Sequence, residues 1–489
     1  MPRRNLHYLM FALLLSFICY LKADSVHRNH YQAMFETLQE AMAEIESRYL
    51  YEVDERTLFE GAMRGMVDEL DQYSAYSGAD ATKKFREELD QEFGGIGIEV
   101  TWDAKTDALT VLSPIVGTPA YEKGIIAGDR ITKIGDEPTE NFTLDDAVHR
   151  LRGKPNEPVR LTLEREGLPS PIELEIRRAI INVDTVLGDV RLPDGGWNYT
   201  LAADPAIGYV RITQFGKKTT EELTKALEQC RRKNVRGLIL DLRSNPGGLL
   251  DAAHEVCDLF VKSGVIVTIR DRAKNERERY EATGAAPYTD WPMVVLVNHF
   301  SASAAEIVSA CLQDHGRAVV VGERTWGKGT VQTPIELESG RSMLRLTVAS
   351  YWRPSGRNIH RAETDKETDP WGVTPDPGFE VKVDEKQMIE LAKWRRSRDV
   401  LRRPGEAPPA PQPAASSATS ADPSAASKPT ATPSGPAAAP STAPDKPTSP
   451  AAASPATPPS GESYTADPQL KRAVEYLRGR LNERSSKAA

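Results

Sequence analysis

Ser303 and Lys328 are the residues of this 489-residue chain whose types and setting could carry chemistry. The apolar run Val294-Val295-Leu296-Val297 reads as a buried strand, Asn298 to Ala302 as a turn, and Ala304 onward through Val308, Cys311 and Leu312 as a helix. Ser303 stands at the junction, where a hydroxyl is exposed beside backbone N–H groups and can act as a nucleophile. Lys328 follows a second buried-type strand, Ala318-Val319-Val320-Val321-Gly322, and is flanked by Gly327 and Gly329. A lysine in so tight a setting can shed water, and with it its proton. The pair points to Ser/Lys hydrolysis. Each residue also has an ordinary use, Ser303 as a helix cap and Lys328 as a solvated turn lysine. Asn245-Pro246-Gly247-Gly248 alone is an ordinary βα turn, and Gln332 alone carries no signal. Glu306 and Asp314 read as helix-face charges or supports for the site.

Rival chemistries fit less well. Gly322-Glu323-Arg324-Thr325-Trp326-Gly327-Lys328 opens like a phosphate-binding loop, but Gly329 stands where a Ser or Thr must ligate Mg²⁺. The following Thr330-Val331-Gln332-Thr333-Pro334-Ile335 looks like a strand and not a phosphate-capping helix. A Ser/His/Asp hydrolase would draw on His254, His299, His315 or His360, yet no Gly-x-Ser-x-Gly elbow surrounds Ser303. A histidine base would also leave Lys328 without a task.

The positioning elements follow from composition. Residues 24–90 read as an N-terminal helical segment, with apolar spacing at Met34, Leu38, Met42, Ile45 and Tyr49, then Leu58, Met63, Met66 and Leu70. Residues 91–178 read as a small β-rich domain. Residues 179–398 alternate strands (206–212, 235–242, 265–269, 293–297, 319–322) with helical stretches, the α/β pattern. Residues 399–464 turn to Ala, Pro, Ser and Thr, a linker with too little apolar bulk to build a core. Residues 465–489 close the chain as an amphipathic helix with Leu470, Ala473, Val474, Leu477 and Leu481 on one face.

Arg3 and Arg4 before the apolar run Leu9–Leu21, with Ala23 as a cleavage point, make residues 1–23 a signal peptide or N-terminal anchor. The run is short for a full membrane span of about 20 residues. The body of the chain is therefore expected outside the cytoplasm, in a periplasmic or other extracytoplasmic compartment, with membrane association through that segment as the alternative. Formal net charge is −8, which gives no basic footprint for nucleic acid. Cys19, Cys230, Cys257 and Cys311 form no close-spaced pair, so no zinc site or disulfide framework is expected, and no metal or organic cofactor is implied.

Within the β-rich domain, Gly94-Gly95-Ile96-Gly97-Ile98-Glu99-Val100 resembles the carboxylate-binding loop and strand of a PDZ domain. Ala120 and Gly124 to Ile131 match that module's turn and next strand, and Thr143-Leu144-Asp145-Asp146 opens a helix to Leu151 as a capping box. A peptide would add as a strand beside 96–100, its terminal carboxylate held by loop N–H groups of Gly95, Ile96, Gly97 and Ile98. Arg152, at the end of that helix, is a candidate to contact either the carboxylate or the α/β core.

With that module ahead of the Ser/Lys pair, residues 30–398 resemble the C-terminal processing peptidases, or tail-specific proteases. The resemblance rests on Asp68 to Tyr76, Leu240 to Gly248, Ser301 to Glu306, Gly327 to Gln332 and Gly372 to Asp376. It implies a crotonase-like α/β protease core preceded by a PDZ domain and an N-terminal helical segment. It implies Ser303, and not Ser301, as nucleophile, Lys328 as general base, Gln332 as the residue orienting the amine, and the N–H groups of Gly248 and Ala304 as oxyanion hole. The substrates implied are protein or peptide C-termini. An adaptor protein is a further partner, and the apolar faces of the N-terminal helices and of 470–481 would either join two copies or pack within one chain. A non-catalytic PDZ scaffold at the cell envelope is the remaining alternative, which the intact Ser303, Lys328 and Gln332 set opposes.

Overall fold

Alternation of apolar and polar residues shapes the PDZ segment. Ile98–Asp103 (β1), Ala108–Pro114 (β2) and Arg130–Ile134 (β3) precede the helix Leu144–Leu151 (α1), and Pro158–Glu164 (β4) and Ile172–Arg177 (β5) follow it. The five strands pair antiparallel in the order β1-β2-β3-β4-β5. Leu109 and Val111 of β2 point inward, as period-two alternation requires, to meet Ile131, Leu161, Leu163 and Ile176 in one core. Thr143 and Asp146 form the capping box at the start of α1, and Ala147 and Leu151 are the face it buries. The computed structural model describes residues 31–103, 107–401 and 466–488. The targeting segment, with Cys19 and Ala23, and the linker from residue 402 onward lie outside the described residues.

The α/β segment builds a parallel sheet from Asp204–Ile212 (β6), Gly237–Asp241 (β7), Met293–Val297 (β8) and Val319–Gly322 (β9), in that order. β7 and β8 are buried at every position, which is why they read as continuous apolar runs. The helices between them are Thr219–Arg232 (α2), Leu250–Asp258 (α3) and Ala304–Asp314 (α4). Gly208 of β6 faces Cys230 and Val235 on the α2 side. Alternate residues Ile207, Tyr209, Ile239, Val294, Leu296 and Val321 face the other way. There they are covered by the last helix, Pro468–Ala488 (α6), through Leu470, Ala473, Val474, Leu477 and Leu481. At about 1.5–3 kcal/mol for each large side chain, that face is a substantial part of the core. The 470–481 face thus packs within the chain and is not available to a second copy. Glu385–Asp399 (α5) comes before it and is capped by Asp384. Cys230, Cys257 and Cys311 are buried free thiols.

The chain divides into two units, and the one just described comprises residues 89–267, 280–328 and 353–489. The other collects residues 1–88, 268–279 and 329–352. The strand Val265–Arg270, expected in the α/β alternation, instead pairs antiparallel through Thr268 to Arg270 with Ser342–Trp352. Ser342–Trp352 also pairs with Thr330–Leu337 in a hairpin and with the short strand Ala75–Ser77. Asp54 caps Glu55–Asp68, and Arg56 grips Glu338 with two bonds of 2.5 and 2.8 Å. Helix 31–48 leaves its apolar residues in solvent, Met34 at 57% and Phe35 at 68% exposure. Among the described residues no helix is long and apolar enough to cross a membrane.

Candidate active site

Ser303 caps α4 in a backbone conformation that side chains avoid, φ 55° and ψ −115°. Such a residue costs of order 1–3 kcal/mol and persists only where its surroundings hold it. The holding group is Glu306, one turn into the same helix and fully buried. Its Oε2 accepts the Ser303 N–H at 2.9 Å and the Lys328 N–H, also at 2.9 Å. The two peptides that carry the hydroxyl and the amine are thus hung on one oxygen, their nitrogens within roughly 6 Å of one another, two hydrogen-bond lengths. Oε1 accepts the Gly327 N–H at 2.7 Å and the Thr325 hydroxyl at 2.5 Å. Thr325 Oγ1 in turn accepts the Val373 N–H at 2.8 Å, which ties Gly372-Val373-Thr374-Pro375 to the site. Its partners are neutral donors and not a cation. Burial pushes the Glu306 carboxyl up to about 7 from 4.5, against the four donors that favour the charge.

The oxyanion-hole candidates are Gly248 and Ala304, the residue that follows Ser303. Gly247 presses so close that a Cβ there would come within 2.7 Å of Ser303 Cβ, and one on Gly248 within 2.1 Å of the Phe215 carbonyl oxygen. Both positions need glycine. The turn they occupy is pinned by Asn245: its carbonyl accepts the Ala302 N–H at 2.9 Å, its Oδ1 the Gly247 N–H at 2.8 Å, and its Nδ2 donates to Ile212 O at 2.7 Å. Among the described residues neither the Gly248 N–H nor the Ala304 N–H donates to a protein oxygen.

Ser301 is held by its neighbours. Its hydroxyl donates to Leu242 O at 2.8 Å and accepts the Asn298 N–H at 3.0 Å, and the residue is fully buried. His254, His299 and His315 are engaged with Glu281 O, Glu323 and Val265 O respectively. The segment from Glu323 to Gly329 runs from β9 into the strand Thr330–Leu337 with no helix between, so no phosphate-capping helix follows Lys328. Asp314 is a structural anchor, held bidentately by Arg353 at 2.6 and 3.0 Å.

Lys328 is half-buried and closes the 280–328 segment of the unit that holds Ser303; Gln332 belongs to the other unit, in its 329–352 segment. There Gln332 Nε2 donates to Thr330 Oγ1 at 2.8 Å and to Thr347 Oγ1 at 3.4 Å. Thr347 Oγ1 donates to Asp71 Oδ1 at 3.1 Å, so the Asp68–Tyr76 motif secures the strand opposite Gln332. In the PDZ segment Gly95, Ile96, Gly97 and Ile98 link the strand Glu92–Gly95 to β1, with Ile96 buried in the domain core. Thr118 Oγ1 donates to Gly97 O at 3.1 Å, fixing the loop. Arg152 ends α1 with its guanidinium 4.5 Å over the Phe93 ring.

Residues 206–377 match peptidase family S41, residues 110–165 a PDZ domain, and residues 20–81 the activating protease CtpB N-terminal domain. The carboxy-terminal-processing protease of Bartonella bacilliformis is 37% identical over 391 residues, 78% of this chain and 84% of that protein. The chain belongs to peptidase family S41. As a member of that family it is a serine-type peptidase of the carboxy-terminal-processing kind, with a PDZ domain before the catalytic core. The family's carboxy-terminal processing protease CtpA of Bacillus subtilis is 36% identical over 67% of this chain and 67% of its own length. A solved photosystem II D1 C-terminal processing protease is 28% identical, with a TM-score of 0.39, over 71% of this chain and 92% of that one.

Glu306 is the residue of the candidate site whose structural weight the sequence understated. The signal was present in the Ser-x-x-Glu spacing at a helix start. Its second set of donors, on Thr325, Gly327 and Lys328, comes from a distant strand end and leaves no mark beside Ser303.

Proposed function

We propose that the chain is an exported serine endopeptidase that cuts proteins at or near their C-terminal tails, with Ser303 as nucleophile and Lys328 as general base. The observation that carries this is the single Glu306 oxygen accepting both the Ser303 and the Lys328 N–H. A neutral Lys328 amine takes the proton of Ser303 Oγ as the oxygen attacks the scissile carbonyl carbon. The tetrahedral oxyanion faces the Gly248 and Ala304 N–H groups, donors of a type whose loss costs about 2.7–4 kcal/mol each. Collapse breaks the C–N bond, and the Lys328 ammonium protonates the leaving amine. Lys328, neutral again, then takes a proton from water as the water oxygen adds to the acyl carbon; collapse breaks the bond to Ser303 Oγ, and the Lys328 ammonium returns that proton to the serine oxygen. Gln332 takes the orienting role on resemblance alone; uncharged, it does not draw the amine back to its ammonium form.

The PDZ segment recruits the substrate by its terminal carboxylate, through the Gly95–Ile98 loop, with Arg152 as coupling residue. The targeting segment at residues 1–23 accounts for export. The exposed apolar side of helix 31–48 is the surface we assign to a second copy of the chain or to an adaptor.

The test is cleavage of a peptide library read by mass spectrometry. Ser303→Ala and Lys328→Ala each lower turnover by at least about 10³-fold, by analogy with loss of a triad member elsewhere. The double variant is little worse than either single one, since the two residues act as a unit. Turnover retained in a Lys328→Ala protein with a normal circular-dichroism spectrum refutes the mechanism.

A further inference from the structure

Arg243 lies five positions ahead of Gly248 in the loop that leaves β7, and it holds two carboxylates at once. Its Nε and Nη2 reach Asp241 at 3.0 and 2.6 Å. Its Nη1 and Nη2 reach Asp467 Oδ1 and Oδ2, both at 2.9 Å, in a bidentate fork. The pair is out of solvent, with side-chain exposures of 9% for Arg243 and 0% for Asp467. Tyr209 OH donates to Asp241 Oδ2 at 2.6 Å, and Gln469 Oε1 accepts from Arg243 Nη1 at 3.1 Å while its Nε2 donates to Val381 O at 2.9 Å. Burial works to raise the Asp241 carboxyl, but the Arg243 guanidinium beside it wins and holds it below its ordinary value.

Asp467 does two jobs. Its Oδ1 caps α6 by accepting the Leu470 N–H at 2.9 Å, and the same carboxylate grips a residue 224 positions away in sequence. That residue starts the active-site turn. Arg243 N–H donates to Asp241 Oδ1 at 3.0 Å, Ser244 is turned to φ 57° with its N–H on Asn298 Oδ1 at 2.8 Å, and Asn245 then holds Ala302 and Gly247. The apolar side of α6 would cover the sheet equally well without an ion pair. A buried, well-aligned pair instead fixes register and orientation.

We propose that the C-terminal segment 466–488 is a positioning element of the active site, with Asp467 acting through Arg243 on the turn that presents the Gly248 N–H. This rests on the assignment of that N–H to the oxyanion hole. The segment is joined to the rest through residues 402–465, so it acts as an intramolecular ligand.

The first measurement is kinetic, on the full chain carrying Asp467→Asn. Asparagine keeps the helix cap and the size but removes the charge opposite Arg243. With a short peptide substrate kcat falls ten- to hundredfold at little change in KM, the scale of a small displacement of a catalytic donor. Affinity for a peptide boronate, whose Ser303 adduct places an oxygen in the oxyanion hole, falls by the same factor. Unchanged kcat and boronate affinity overturn the proposal. The parent chain guards the underlying assignment: if it ignores the boronate, or if Ser303→Ala keeps turnover, the Ser/Lys reading fails and not the role of Asp467.

The second measurement covers a variant that does not fold. A specific protease site placed within 402–465 lets the folded chain be cut and its segment exchanged for synthetic 465–489 peptide, with docking followed by fluorescence anisotropy. At saturation the parent peptide restores turnover and the Asp467→Asn peptide restores ten- to hundredfold less. Equal restoration by the two docked peptides, or full turnover with no peptide bound, overturns the proposal.

Discussion

Glu306→Gln tests whether one buried carboxylate positions both reacting residues. The native carboxylate takes donors on both oxygens, Ser303 and Lys328 N–H on Oε2, Gly327 N–H and the Thr325 hydroxyl on Oε1. A glutamine has one oxygen and one NH₂. The less costly orientation keeps the oxygen toward Ser303 and Lys328, because the Thr325 hydroxyl can rotate to accept while a backbone N–H cannot. The Gly327 N–H is then left facing a donor, at a cost of about 1–3 kcal/mol. The Gly327–Lys328 peptide must move to relieve it, and a displacement near 1 Å lowers kcat by about 10²-fold.

Stability moves differently. Burial raises the Glu306 carboxyl to about 7 in the fold from 4.5. A carboxyl raised in this way adds its stabilisation below the unfolded value and loses it as pH climbs through the folded one. At about 1.4 kcal/mol per pH unit, keeping the charge buried at pH 8 costs the parent about 3 kcal/mol that the amide never incurs. The cost of the mispaired amide, by contrast, is independent of pH. Urea unfolding at pH 5 and pH 8 should therefore show the Glu306→Gln protein gaining about 2–3 kcal/mol on the parent between the two, alongside its loss of turnover. A stability difference that stays constant with pH, or a variant that keeps parental kcat at pH 8, defeats the account of Glu306.

Two further outcomes follow from the proposed mechanism. Gln332→Glu brings a negative charge to the residue assigned to orient the lysine amine, which favours the ammonium and moves the alkaline rise of kcat/KM to higher pH; an unshifted profile removes Gln332 from the site. Amidating a substrate's C-terminus weakens binding to the full-length Ser303→Ala protein by about ten- to a hundredfold, the loss of a charge-assisted hydrogen bond, and equal affinities measured by calorimetry remove carboxylate capture by Gly95–Ile98.

How much of this was legible depended on how local each cause is. The capped helix Leu144–Leu151 was readable to the residue because Thr143, Asp146 and the apolar positions that follow are neighbours in sequence. The parallel strands were readable because burial on both faces leaves an unbroken apolar run, as at Met293–Val297. Ser303 and Lys328 stood out as candidates because each stands beside such a strand, and the structure hangs both their N–H groups on Glu306. Pairing across long separations was not. Ala75–Ser77 meets Leu344 and its neighbours through a three-residue register that no local pattern announces, and so the strand carrying Gln332 was not seen to join the N-terminal helices. Amphipathicity marked one face on helix 31–48 and one on Pro468–Ala488 without saying what covers either. One is exposed and the other lies at the centre of a core cluster.

Glu306 and Arg243 solve the same problem in opposite ways. Arg243 has its charge matched by two carboxylates, Asp241 and Asp467. Glu306 is met by four neutral donors instead of a cation, and desolvation leaves it close to neutrality. A cation there would have steadied the carboxylate, but under the proposed mechanism it would compete with the Lys328 amine for the same anions. Spreading the charge over N–H and O–H donors holds the Ser303 and Lys328 peptides without that competition. The consequence is that ionised Glu306, which accepts all its donors, is favoured by alkaline pH, while the fold gains from its protonation at acid pH. A lysine base also needs its neutral form. Under the proposed mechanism both requirements press activity toward high pH, while protonation of Glu306 favours the fold at acid pH.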